Sequence, residues 1–261
     1  MKLFVCSDIH GHYYEMLDGL RKAGYDDEND ENLLIVMGDL FDRGEYSKQI
    51  YDYLKDLSDK KKAIVLRGNH EKFFIDWLKG DDNPFNFVRN GMSYTIDSFL
   101  GFGHSFDNYC IDNECTYNYN TFSDFSKVAR KEIMENEPEL LEWLESLPYY
   151  YETEHFIFTH ASIDTKVDDW HHPHCEYHGR LDWEACVWDD GSFFGSTICN
   201  TDKTIVIGHF DTGLLRKKYD LGESNDHSIL SRKDGRVIAI DGCVALTKNV
   251  NVATIYSEKI C

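Results

Sequence analysis

Leu3-Phe4-Val5-Cys6-Ser7-Asp8-Ile9-His10-Gly11 opens as an unbroken apolar run and stops on an acid and an imidazole two residues apart. A run apolar at every position, not at every second one, is what a strand buried on both faces requires. The same device recurs downstream. Leu34-Ile35-Val36-Met37-Gly38 leads into Asp39, and Ile64-Val65-Leu66-Arg67-Gly68 leads into Asn69-His70-Glu71. Between these runs Tyr13, Met16, Leu17, Leu20 and Ala23 recur at helical spacing with Gly24 placed to cap the end; Ile50, Leu54 and Leu57 mark a second helix and residues 71–79 a third. Buried strands separated by helices predict βαβ units in a parallel sheet covered on at least one face, whose strand ends share one edge.

The rest of the chain is consistent with one folded unit. Its 261 residues are 42% apolar and include only 4 prolines, enough for a packed core and unlike a disordered chain. A net charge of −20, from 47 acidic against 27 basic residues, repels phosphate backbones and disfavours non-specific nucleic-acid binding. The opening apolar run is too short for a signal-peptide core or a membrane span, so a cytoplasmic protein without membrane contact is expected. Eight cysteines without a CxxC pair predict free thiols.

From about residue 80 to 150 the sequence turns aromatic and helix-leaning, with Phe85, Phe87, Tyr94, Phe99, Phe102, Tyr117, Phe122 and Phe125, and reads as an insertion or cap. Strands return at 156–159, 204–207, 237–240 and 250–256, with hairpin spacing around Lys233-Asp234-Gly235. The first two of these deliver His160 and His209. Five strand ends thus offer Asp8, His10, Asp39, Asn69, His160 and His209, with His70 beside them. Any one alone reads as a helix cap or a core histidine, but carboxylates buried together demand cations. Oxygen and imidazole donors without thiolate suit Mn, Fe, Zn or Mg. So many donors exceed one tetrahedral ion and fit a dinuclear centre with a shared carboxylate, the kind that activates water for attack at phosphorus.

Asp8-Ile9-His10-Gly11, Gly38-Asp39-Leu40-Phe41-Asp42-Arg43-Gly44 and Gly68-Asn69-His70-Glu71 resemble, in order and spacing, the three signature blocks of the phosphoprotein phosphatase family of dinuclear metallophosphoesterases. Thr159-His160-Ala161 and Gly208-His209 resemble its two later metal-histidine blocks, and Arg89-Asn90-Gly91 with Thr95 a segment of bacterial members. The resemblance implies an α/β (α+β) calcineurin-like metallophosphoesterase fold, a central β-sandwich of mixed sheets flanked by helices. It treats residues 1–261 as a single catalytic domain, with the helical, aromatic-rich insertion at about 80–150. It also implies two divalent metal ions, manganese foremost. Asp8, His10 and Asp39 would hold one, and Asp39, Asn69, His160 and His209 the other. His70 would be the general acid, Asp42 its orienting carboxylate and Arg43 the phosphate clamp, with Gly11, Gly38, Gly44, Gly68 and Gly208 permitting tight turns.

The expected activity is hydrolysis of phosphate monoesters by direct attack of a metal-bridging hydroxide, foremost on phosphoserine or phosphothreonine in proteins. The alternative is a symmetrical dinucleoside polyphosphate hydrolase or another nucleotide phosphoesterase; a catalytically inactive metal-binding module is the reading outside enzymes, disfavoured because His70, Asp42 and Arg43 are all present. One departure from the family pattern stands out. A second phosphate-binding arginine is expected shortly after a tryptophan, whereas Trp188 is followed by Asp189-Asp190, leaving Arg180 or Arg67 as substitutes. His171, His172, His174, Cys175 and His178 read as a solvent-facing loop beside the site mouth or as a separate zinc site, although their spacing matches no paired zinc pattern.

Overall fold

The computed structural model describes residues 1–101, 105–177 and 179–256, and the backbone of residues 259–260. Phe102, His178 and Cys261 therefore lie outside the described residues. In chain order the first elements are β1 (Lys2–Cys6), α1 (Tyr13–Ala23), β2 (Asn32–Val36), α2 (Ser47–Asp59), β3 (Ala63–Val65) and α3 (Asn69–Leu78). A helical stretch follows: α4 (Pro84–Arg89), α5 (Met92–Leu100), α6 (Phe106–Asp112), α7 (Tyr119–Asn136) and α8 (Leu140–Ser146). The second half holds β4 (Tyr150–Glu152), β5 (Phe156–Thr159), β6 (Glu176–Tyr177), β7 (Arg180–Leu181), α9 (Trp183–Cys186), β8 (Thr204–Ile207) and α10 (Thr212–Tyr219). It closes with β9 (Leu230–Ser231), β10 (Val237–Ala239), α11 (Val244–Thr247), β11 (Ala253–Tyr256) and β12 (Lys259–Ile260).

The strands form two five-stranded sheets, ordered β12-β11-β1-β2-β3 and β4-β5-β8-β10-β9, with β6 and β7 as a separate hairpin. Each large sheet has a parallel trio, β1-β2-β3 at one edge of the first and β5-β8-β10 at the centre of the second, with antiparallel strands on the remaining sides. The wholly parallel sheet expected from the first 80 residues is thus a mixed one, because β11 returns antiparallel alongside β1. Strand 250–256 starts only at Ala253, because Val250 is spent on the helix-side core. The third helix begins at Asn69, two residues early, capped by Glu71 folding back on the Gly68 backbone.

Alternation along the strands separates three cores. Leu3, Val5, Leu33, Ile35 and Met37 face the second sheet and meet Phe156, Phe158, Val206, Ile238 and Ile240, which makes the pair a sandwich. Phe4, Cys6, Leu34, Val36, Ala63 and Val65 face the other way, under α1, α2 and α3. Phe87, Met92, Ile96, Phe99, Phe125 and Trp143 of the helical stretch join that same core. The outer face of the second sheet, Ile157, Ile205, Ile207 and Val237, is covered by Trp170, Phe193, Phe194 and Leu215. Runs apolar at every position follow directly, since both faces of both sheets are buried; each fully buried aliphatic or phenyl side chain contributes about 1.5–3 kcal/mol. Gly24 ends α1 in the left-handed conformation at φ 80°, as its placement predicts. Among the described residues no helix is long and apolar enough to cross a membrane.

Candidate functional site

The two parallel trios bring their strand ends to one place. Asp8 follows β1, Asp39 follows β2 and Asn69 follows β3, while His160 follows β5 and His209 follows β8. Cross-sheet bonds fix the meeting: His209 N–H donates to Asp8 Oδ2 (2.9 Å) and His160 Nδ1–H to the Met37 carbonyl (2.7 Å). Asp8, His10, Asp39, Asp42, Arg43 and His209 all take positive φ, between 46° and 72°. Side-chain-bearing residues there cost about 1–3 kcal/mol each, and such outliers gather at functional sites. Gly208 is obligatory for another reason: a Cβ on it would run into Ser7 Oγ and Asp8 Oδ2.

Two groups of ligand atoms converge, each within 4.8 Å: His10, Asp39 and His70 in one, Asp39, His160 and His209 in the other, with Asp39 common to both. His10 Nδ1–H donates to the Phe41 carbonyl (2.9 Å), so Nε2 turns its lone pair toward Asp39 Oδ2 at 3.6 Å. His160 Nε2 stands 3.0 Å from Asn69 Oδ1, 3.3 Å from Asp39 Oδ1 and 3.1 Å from His209 Nδ1. Burial holds His10 and His209 well below the usual imidazole range and lifts Asp8 and Asp39 well above the carboxylate range. The ring nitrogens not spent on backbone carbonyls therefore face carboxylate and amide oxygens. That arrangement of acceptor against acceptor fits divalent cations, whose charge reverses the penalty on the buried acids. Asp8 stands beside these groups, its Oδ2 also accepting from Ser7 Oγ.

On the open side, His70 Nδ1 and Asp42 Oδ2 are 2.6 Å apart and both residues are buried. Arg43 Nη2 donates to His70 Nε2 (3.2 Å), which places the imidazole proton on Nδ1, facing Asp42. Thr95 Oγ1 donates to Asp42 Oδ1 (2.7 Å) and accepts the Asp42 N–H (2.8 Å). Glu71, fully buried, ties three backbone amides: Oε2 accepts from Asp39 (2.8 Å) and Gly68 (2.7 Å), and Oε1 from Leu40 (2.8 Å). Arg43, Asn69, His70 and His209 open onto a groove of about 430 Å³, walled also by Arg180 and Trp188.

The pattern of the calcineurin-like phosphoesterases matches residues 1–235. The chain belongs to that family. Among curated relatives, it is 34% identical over 102 residues to the asymmetrical bis(5'-nucleosyl)-tetraphosphatase of Halalkalibacterium halodurans, covering 37% of this chain and 40% of that one. It is 42% identical over 80 residues to the serine/threonine-protein phosphatase PP1-1 of Saccharomyces cerevisiae, covering 29% and 24%. The chain thus spans well under half the length of these relatives. Among solved structures, the cold-active protein-tyrosine phosphatase of a psychrophilic Shewanella superposes with a TM-score of 0.60 at 17% identity, over 99% of this chain and 76% of that one. A Saccharomyces cerevisiae serine/threonine phosphatase follows at 0.52 and 16%, over 98% and 73%. These likenesses extend the shared fold across the chain.

In this calcineurin-like phosphoesterase the strand-end residues named from the sequence meet at this site, Asp8 standing beside the two donor groups and Asp42 and Arg43 on the open side. Of the two substitute arginines, Arg67 points elsewhere: its guanidinium bonds the Leu144 and Glu145 carbonyls and Tyr149 Oη. Arg180 lines the groove, its guanidinium 5.1 Å over the Trp188 ring. His171 and His172 are engaged by Asp169 (2.7 and 2.8 Å), His171 also by Glu152 (3.0 Å), and no metal-type grouping forms there among the described residues. Asp241, which the sequence reading did not single out, follows β10 as Asp8 follows β1, and burial pushes its carboxyl up to about 6. The signal was the same strand-end rule, obscured because residues 237–240 read first as a hairpin strand.

Proposed function

We propose that this phosphoesterase removes phosphate from phosphoserine and phosphothreonine in proteins, using two divalent metal ions, manganese foremost. The observation that carries the reading is Asp39: its two oxygens face two separate donor groups while His70, Asp42 and Arg43 stand together at the groove. In this reading Asp8, His10 and Asp39 hold one ion, and Asp39, Asn69, His160 and His209 the other. The ions, when bound, would polarise the phosphoryl oxygens and lower the pKa of the attacking water. Arg43, with Arg180 across the groove, holds the phosphoryl oxygens in bidentate fashion and offsets charge in the transition state. His70, carrying a second proton on Nε2, protonates the leaving oxygen while Asp42 steadies the imidazolium. The reading takes residues 1–261 as one catalytic unit, with Asn83, Phe85, Asn86 and Asn90 of the helical stretch as the wall that meets substrate.

Asp81 on the groove wall opposes a second run of phosphates, Asp76 beside it being paired with Lys72, which supports a monoester over a polyphosphate. One feature favours the other reading. Phe85 on the groove wall is an exposed ring on which a base stacks, and dinucleoside tetraphosphatases are among the relatives, of the asymmetrical type where the motifs suggested the symmetrical one. Competition between a phosphoserine peptide and diadenosine tetraphosphate at equal concentration decides. Phosphate release from the peptide is expected; cleavage of the dinucleotide alone would replace the protein phosphatase reading with the second.

A further inference from the structure

Cys175 precedes β6 and Cys186 ends α9, and their Sγ atoms lie 3.1 Å apart. Between them runs the β6–β7 hairpin, paired only at Glu176↔Leu181 and Tyr177↔Arg180. That short ladder carries two of the side chains that pack on Trp188: the Arg180 guanidinium at 5.1 Å and the Tyr177 ring, stacked at 6.1 Å and 14°. Trp188 in turn meets the His209 ring at 5.9 Å. The two cysteines differ in anchorage. The Cys186 carbonyl accepts from Ser162 N–H (3.0 Å) and Ser162 Oγ (3.0 Å), two residues after His160, so that side is fixed to the strand-end floor. Cys175 is half-buried, on the hairpin side, whereas Cys186 is buried.

We propose that Cys175 and Cys186 are a reversible dithiol/disulfide site whose oxidation staples the β6–β7 hairpin and fixes Arg180 at the groove and Tyr177 on Trp188. Closing an S···S distance of 3.1 Å to a bond of about 2.05 Å needs a shift of about 1 Å, within reach of a two-rung hairpin. The environment divides the roles. Cys175 is half-buried and Cys186 is buried. An oxidant therefore reaches Cys175 first, and its thiolate attacks. With a small-molecule disulfide such as glutathione disulfide as oxidant, Cys175 attacks one sulfur and expels the first thiolate. Cys186 then gives up its proton and attacks the Cys175 sulfur of the mixed disulfide, expelling the second. Two protein thiols become one disulfide, the oxidant is reduced to two thiols, and the two thiol protons go to them.

The bridge itself is independent of the proposed function; its effect on substrate rests on that reading, through Arg180. The test uses the full-length, metal-loaded protein equilibrated in reduced and in oxidised glutathione. Expected in the oxidised sample are a mass lower by two hydrogens, a peptide map linking Cys175 to Cys186, and tryptic cleavage after Arg180 slowed about tenfold. The KM for an aryl phosphate is expected to be several-fold lower than in the reduced sample, with kcat little changed. Cys175→Ser and Cys186→Ser should each lose all of these responses. Both thiols remaining alkylatable in oxidised glutathione would overturn the proposal, as would a bridge that changes neither tryptic cleavage nor KM. A bridge with slowed cleavage in a protein inactive on every phosphoester and metal would support the thiol site and overturn the phosphatase reading instead.

Discussion

His70 Nδ1 lies 2.6 Å from Asp42 Oδ2, and both residues are closed to solvent. Burial holds the imidazole well below its usual range, with Arg43 adding to the effect, and lifts the Asp42 carboxyl to about 7 against the pull of Thr95 and Arg43. Burial alone therefore favours the uncharged form of each partner. In the proposed reading, a negative phosphoryl group near Nε2 is the compensation that would let the imidazole take its second proton.

His70→Asn should lower turnover of poor alkyl leaving groups about 10²–10⁴-fold while sparing an activated aryl phosphate and leaving metal content intact. Rates on a series of leaving groups, with metal analysis of the same samples, check this. Equal losses on both substrates, or lost metal, would contradict the acid role.

Thr95→Val removes the hydroxyl that both donates to Asp42 Oδ1 and accepts its N–H. Asp42 keeps its place in the chain but loses the bond that aims it. A fall in kcat of about tenfold is expected, corresponding to roughly 1.4 kcal/mol of transition-state stabilisation. KM should hardly move, and steady-state kinetics separate the two.

Glu71→Gln leaves one carbonyl oxygen where two carboxylate oxygens accept from the Asp39, Leu40 and Gly68 amides. Its amide hydrogens then confront backbone donors. A destabilisation of about 2–4 kcal/mol is expected in urea unfolding, with weaker metal binding because the Asp39 loop loses its tie.

Asp97 tests pH dependence away from the site. Burial, with Asp107 second, raises its carboxyl to about 6, and its Oδ1 has no hydrogen-bond partner. The native state therefore binds more protons than the unfolded chain between about pH 4 and 6, and stability falls as pH rises through that window. Asp97→Asn should raise Tm at pH 8 and leave it nearly unchanged at pH 4. Thermal melts at both values check the sign.

The strand ends could be read from sequence because buried strands advertise themselves by unbroken apolar runs, and a polar ligand just beyond each run is conspicuous. Asp8, Asp39, Asn69, His160 and His209 stand out that way. The division of strands between two sheets does not, since Phe4 and Leu3 are equally apolar while one faces helices and the other the second sheet. Arg180 was one of two options because a two-residue strand carries no periodicity, and only packing on Trp188 distinguishes it from Arg67. Thr95 and Glu71 act through bonds to a carboxylate and to backbone amides far away in the chain, which no local pattern encodes.

The shared-carboxylate centre is tested most directly by stripping the protein of metal and titrating Mn, Mg or Zn back while following phosphate release from para-nitrophenyl phosphate. The expected result is no turnover without metal and full activity at two metal ions per chain, with Asp39→Asn losing both ions together. Activity in the stripped protein, or saturation at one ion with Asp39→Asn unaffected, would contradict it.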